Sequence, residues 1–130
     1  MTTNAEFFAW ISSQAGVSAL IGDRIYPCQL PQGVIYPCIR FLRDDDGGFK
    51  DFDGQGGTLM TELQIDCIAD TLTQAEAIAA EVSGAMKNYT GAMGGRTVQR
   101  VSLESEFDAY EPSLAEGKYR VSQAWTIWHY

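Results

Sequence analysis

Residues 44–62, DDDGGFKDFDGQGGTLMTE, form the run whose residue types and spacing come nearest to a metal-binding loop. Asp51, Asp53 and Gln55 alternate, Gly56 follows where a sharp turn is needed, and Glu62 falls where a bidentate carboxylate closes a calcium loop. Against that chemistry, Gln55 replaces the usual Asp or Asn, no helical pattern flanks the run, and Glu62 belongs to an alternating, strand-like stretch. A small calcium- or ligand-binding domain therefore stands as an alternative, the preferred reading is a solvated acidic loop, and no metal site or cofactor is assigned.

Other catalytic patterns fare no better. His129 is the only histidine and the penultimate residue, so a Ser-His-Asp or Cys-His pair would need its base at a chain end. Carboxylates are numerous, but they gather in the acidic run or on faces that should meet water. The Gly91–Gly95 stretch precedes no helical pattern and carries no Lys, unlike a phosphate-cradling loop. Cys28, Cys38 and Cys67 are odd in number and lack C-x-x-C spacing, so reduced, partly buried thiols are expected, a Cys28–Cys38 bridge being the alternative. No catalytic residue is assigned, and the chain reads as a protein that works by contact.

Two aromatic groups are candidates for that contact. Phe49 and Phe52 sit in an otherwise polar, glycine-rich run, where exposed aromatics mark a partner surface. Trp128 and Tyr130 fall on the face opposite the core side of the last strand, with Trp10 as a third candidate; a small cluster covered by the chain's own helices is the competing reading.

The elements that would position these residues follow from periodicity. Thr3 to Glu6 has capping-box spacing, and Phe7, Phe8, Ile11 and Ala15 recur helically up to Gly16, with a short turn from Val17 to Ile21 closed by Gly22. Residues 24–37 hold three of the four prolines and read as an extended, edge-like segment. Cys38–Arg43 and Leu59–Ala69 alternate as strands, with Ile39, Phe41, Leu63, Ile65 and Cys67 inward and Arg40, Glu62, Gln64 and Asp66 outward. Residues 44–57, with five glycines and five aspartates, read as a mobile loop between them. Thr73 to Glu76 has the spacing of a second capping box, opening a helix whose stripe is Ala75, Ile78, Ala79, Val82, Met86 and Tyr89. After Gly94-Gly95, Val98–Phe107 and Tyr119–Tyr130 alternate, with Val101, Leu103, Val121, Trp125 and Ile127 inward. This order predicts an α+β fold: a largely antiparallel sheet of four to five strands, helices packed on one face, and a single domain over 1–130.

Composition is that of a folded chain, 45% hydrophobic and 20% charged. Nine basic residues against 17 acidic ones give a net charge of −8, which argues against binding driven by phosphate neutralisation. No apolar run approaches the ~20 residues of a membrane span, and the N-terminus has no basic patch leading an apolar core. A cytosolic chain without a targeting signal is expected.

The run Gly16-Val-Ser-Ala-Leu-Ile-Gly-Asp-Arg-Ile-Tyr-Pro27, then Leu30-Pro-Gln-Gly33 and Pro37, resembles the tail terminator (tail completion) family of long-tailed bacteriophages. The likeness extends through Glu62-Leu-Gln-Ile-Asp66, the Thr73-Gln-Ala-Glu76 helix start and the C-terminal strand. It implies a virion structural protein, made in the host cytoplasm, that forms a hexameric ring at the head-proximal end of the tail, stops tube growth and presents the head-joining surface. The implied partners are further copies, the tail tube protein and a neck or head-completion protein; a neck adaptor docking on the portal side is the alternative within the class. In that setting Phe49, Phe52, Trp128 and Tyr130 are expected at subunit interfaces. Asp44, Asp45, Asp46, Asp51 and Asp53 would line a lumen through which DNA slides without being held.

Overall fold

The computed structural model describes residues 4–44, 59–114 and 116–129. The elements are α1 (Asn4–Ser12), α2 (Ala15–Ile21), β1 (Ile25–Pro27), β2 (Cys38–Asp44), β3 (Leu59–Ala69), α3 (Leu72–Met86), β4 (Gly91–Met93), β5 (Arg96–Glu111) and β6 (Lys118–His129). The strands form one sheet in the order β1-β2-β3-β6-β5-β4. Every pairing is antiparallel except β1 with β2, which is parallel.

The sheet thus has six strands and is mixed, where the sequence predicted four to five largely antiparallel ones. The extra strands are three residues each, too short for alternation to show. Both lie at sheet edges, and Pro27 sits in β1, where a missing ladder donor is tolerated. Asp44 ends β2, its backbone opposite Glu62, and does not open the loop assigned to 44–57; residues 45–57 of that loop lie outside the described residues.

Odd-numbered positions of the central strands face the helices. Ile39 and Phe41 of β2, Leu63, Ile65 and Cys67 of β3, and Val121, Trp125 and Ile127 of β6 are buried there against Ala75, Ile78, Ala79, Val82 and Met86 of α3. Each large apolar side chain so buried contributes roughly 1.5–3 kcal/mol. The α1 contribution is Phe7, Trp10 and Ile11, spaced i, i+3, i+4. Trp10, a third candidate for the outward aromatic group, is buried instead, as the competing reading of a cluster under the chain's own helices has it: its ring lies 4.8 Å from that of Tyr89, while Phe7 meets Phe41 edge-on at 4.9 Å. The reason is that α1 stops at Ser12, so Ala15 belongs to α2 and cannot extend the first stripe.

The start of α3 differs from its predicted box, and the Thr3 end of the first box lies outside the described residues. The cap of α3 is Thr71, whose hydroxyl accepts from the Gln74 amide at 3.2 Å, two residues before the expected Thr73. Glu6 reaches across the fold to accept from the Gly95 amide at 2.7 Å, with Arg96 at 3.8 Å. That bond ties α1 to the β4–β5 turn, where Gly94 takes a φ of 62° and an added Cβ would strike Glu6. Gly22 closes α2 at φ 61°, as its spacing predicts.

One polar side chain is built into the helix-backed core. Gln123 is fully buried, donates from Nε2 to the Ala79 carbonyl at 3.1 Å and to Glu106 at 2.7 Å, and accepts from Trp125 Nε1 at 3.1 Å. With both ends of the amide satisfied, it stitches β6 to α3 and β5 without stranding a buried group.

Candidate functional site

Among the described residues no helix covers the opposite face of the sheet, and its even-numbered side chains divide into two halves. The register places Arg40 beside Asp66, and Asp66 beside Ser122, at one end. It places Leu42 beside Gln64, Glu62 beside Thr126, and Met60 beside Trp128 at the other.

The first half is a closed ion network. Asp66 is 0% exposed although no helix covers it. Arg40 grips its Oδ2 through Nε at 3.1 Å and Nη2 at 2.7 Å, while Ser122 at 2.6 Å and Gln64 at 3.0 Å donate to Oδ1. Arg120 stands 3.5 Å from Oδ1, donates to Ser122 at 2.6 Å, and pairs with Glu111 at 2.6 Å, its guanidinium 5.5 Å from the Phe107 ring. Burial alone would raise the Asp66 pKa, but the hydrogen bonds from Ser122, Gln64 and Arg40 outweigh it and hold the carboxyl below the ordinary range. The carboxylate of Asp66 is fully engaged within the network, while Arg120 Nε is buried without a hydrogen-bond partner among the described residues.

The second half is open. A hollow of about 740 Å³ has Leu42, Met60, Ala124 and Trp128 as its apolar lining, with Arg43 and Glu62 among its charged walls. Trp128 is half-buried there, the Arg100 guanidinium 4.8 Å above its ring. An apolar floor rimmed by charge is the anatomy of a protein contact.

Of the residues predicted to make contacts, Trp128 thus lies on the outward face as expected. Phe49, Phe52 and Tyr130 lie outside the described residues, as do Asp45, Asp46, Asp51 and Asp53; the backbone of Asp44 sits in β2. The calcium-loop positions Asp51, Asp53, Gln55 and Gly56 are likewise outside, and Glu62 is a strand residue on the wall of the hollow. Among the described residues no three metal-ligating side chains converge. His129 is buried, its Nε2 2.8 Å from the Thr61 hydroxyl. Cys28, Cys38 and Cys67 are free thiols, so the alternative Cys28–Cys38 bridge is not formed; burial pushes the Cys38 thiol up to about 11 and Cys67 upward as well. The Arg40–Asp66–Arg120 network went unread in the sequence, because only the register brings its members together.

A mixed sheet is thus backed on one side by helices and carries a hollow with an apolar lining on the other. The profile of the family described as "Tail completion protein gp17" matches residues 5–130, and the chain belongs to that family. It is a phage structural tail-completion protein, and not an enzyme. In fold it is similar to a chain from a solved structure described as "Virion of native gene transfer agent (GTA) particle", with a TM-score of 0.76, 16% identity, and coverage of 96% of this chain and 92% of that one. A second solved chain, 14% identical, superposes with a TM-score of 0.53 over 98% of this chain and 96% of its own. No curated protein matches in sequence.

Proposed function

We propose that this tail-completion protein is a tail terminator: copies close into a ring, a hexamer, at the head-proximal end of the tail, stop tube polymerisation and present the surface to which the head joins. The observation that carries the reading is the family match over nearly the whole chain. A closed ring requires two different, complementary patches on each copy. The hollow around Trp128 supports one of them, and Phe49, Phe52 and Tyr130 are proposed as aromatic anchors at the same interfaces. Asp44, Asp45, Asp46, Asp51 and Asp53 are proposed to face the lumen, where their charge lets DNA pass without holding it. The partners are the tail tube protein below and a neck or head-completion protein above.

Electron microscopy of tails assembled without this protein tests the reading. Tubes of overgrown, irregular length are expected. Tails of normal length that fail to join heads would instead place the protein in the neck, as a portal-side adaptor.

A further inference from the structure

The sheet ends on one side in a strand that is mostly uncovered. β4 pairs only with residues 96–98 of β5, whereas β5 runs on to Glu111. Two register irregularities, at Val98/Arg100 and Leu103/Ser105, interrupt its pairing with β6, but from Ser105 to Glu111 the ladder is regular. Those seven residues span roughly 20 Å of straight edge, enough for a strand of typical length to add. Among the described residues no strand lies along their outer side.

The side chains of that edge are sorted by face. Ser105, Phe107 and Ala109 lie opposite Ala124, Ser122 and Arg120, on the helix-free side, and Phe107 is 53% exposed. Glu106, Asp108 and Tyr110 lie opposite Gln123, Val121 and Tyr119, on the helix side. There Glu106 and Asp108 join Glu76 of α3 around a trough of about 210 Å³ whose floor is Ala79, Ala80, Ser83 and Val121. The floor is made of small side chains, so a long one can enter, and Glu76, Glu106 and Asp108, the second of which also accepts from Gln123, line its walls.

We propose that the Ser105–Glu111 edge of β5 is a docking site for an extended, basic segment of another virion protein, which adds as a strand and lays a Lys or Arg side chain into the Glu76–Glu106–Asp108 trough. Strand addition supplies affinity through the main chain, and alternate side chains supply selectivity. Opposite Glu106 and Asp108 a cation is favoured, and beside Phe107 an apolar residue, so the expected segment alternates basic with apolar residues. Pairing with the same edge of a second copy is disfavoured, since it sets carboxylates against carboxylates. That the partner belongs to the virion rests on the tail-completion reading; the chemistry of the edge does not.

The test is an amide NMR titration of the purified protein with a capped octapeptide alternating Lys and Val, and with its Glu-Val counterpart. Saturable shifts confined to amides 105–111 and to the trough residues of α3 and β6 are expected with Lys-Val and not with Glu-Val. The Glu76→Gln/Asp108→Asn variant should bind Lys-Val about tenfold more weakly. The proposal is overturned if amides 105–111 do not respond, if both peptides act alike, or if the variant binds as well as the parent. None of these outcomes touches the tail-length experiment, whose own failure would leave the titration standing.

Discussion

The two faces of one sheet, built from alternate residues of the same strands, are finished in different ways. On the helix-backed face, Phe41, Ile65, Trp125 and Ile127 are covered by α1, α2 and α3, and the buried amide of Gln123 finds all its partners inside the chain. On the other face the cover consists of long side chains: Arg40 and Arg120 lie over Asp66 at one end, and at the other nothing equivalent among the described residues closes the hollow beside Trp128. Stability is therefore concentrated where the chain completes its own packing, and the capacity for contact where it does not.

That contrast breaks most sharply at Trp125, fully buried at the centre of the helix-backed face. Trp125→Ala should cost about 4 kcal/mol, through lost burial, a cavity and a stranded Gln123 carbonyl, read as a lowered urea midpoint. A value near that of an outward residue would mean that the helices do not seal this face.

Asp66 should come second. Asp66→Ala removes the anion between two arginines and is expected to cost about 3 kcal/mol in the same unfolding measurement. Its depressed pKa adds a pH signature. Above the ordinary unfolded value of about 3.9 its contribution is fully present. As the pH falls below that, the unfolded chain takes up the proton first, so stability is lost until the lower folded pKa has been passed. Asp66→Asn should therefore show a shallower fall of stability below about pH 4 than the parent. Equal slopes would show that other carboxylates carry the acid sensitivity.

These two residues also mark what could be read in the sequence. Trp125 was legible because Val121 and Ile127 share its face, although the inward Gln123 interrupts the apolar alternation of β6. Asp66 was assigned to the outward face correctly, yet its burial was not legible: it depends on Arg40, Ser122 and Arg120 from other strands arriving beside it, and periodicity within one strand carries no register between strands. The α3 stripe was legible residue by residue, but its cap was displaced from Thr73 to Thr71, because both threonines precede plausible first turns and only the structure shows which hydroxyl meets an amide. Trp10, a third candidate for the outward cluster, is buried under the chain's own helices; β1 falls at a sheet edge within the segment read as extended and edge-like, and β4 was missed because three residues hold no period. Of the candidate contact surface, Trp128 was found from alternation, while the open β5 edge was not, since what leaves it open is the shortness of β4.

Trp128 sharpens the contrast from the other side. It is half-buried and held mainly by the hollow and by Arg100, so Trp128→Ala should cost only about 1 kcal/mol. On the proposed function it should nonetheless abolish ring closure, seen as loss of the oligomer by mass measurement on assembled tails. A loss of stability comparable to that of Trp125→Ala would move Trp128 into the core and remove it from the proposed interface.

The smallest effect on stability, with a large one on assembly, is expected for the double variant Phe49→Ser/Phe52→Ser. If these rings serve as anchors on a neighbouring copy, the isolated protein loses no packing of its own, and its unfolding free energy should stay within about 0.5 kcal/mol of the parent. An anchor lost at the centre of an interface, by contrast, commonly costs 2 kcal/mol or more in binding, roughly thirtyfold in affinity. Tails carrying the variant should then be poorly capped, overgrown or unable to join heads. Unfolding of the variant would show that the aromatic pair belongs to the chain's own core, and the face that the chain leaves open would have to be sought around Trp128 and the β5 edge alone.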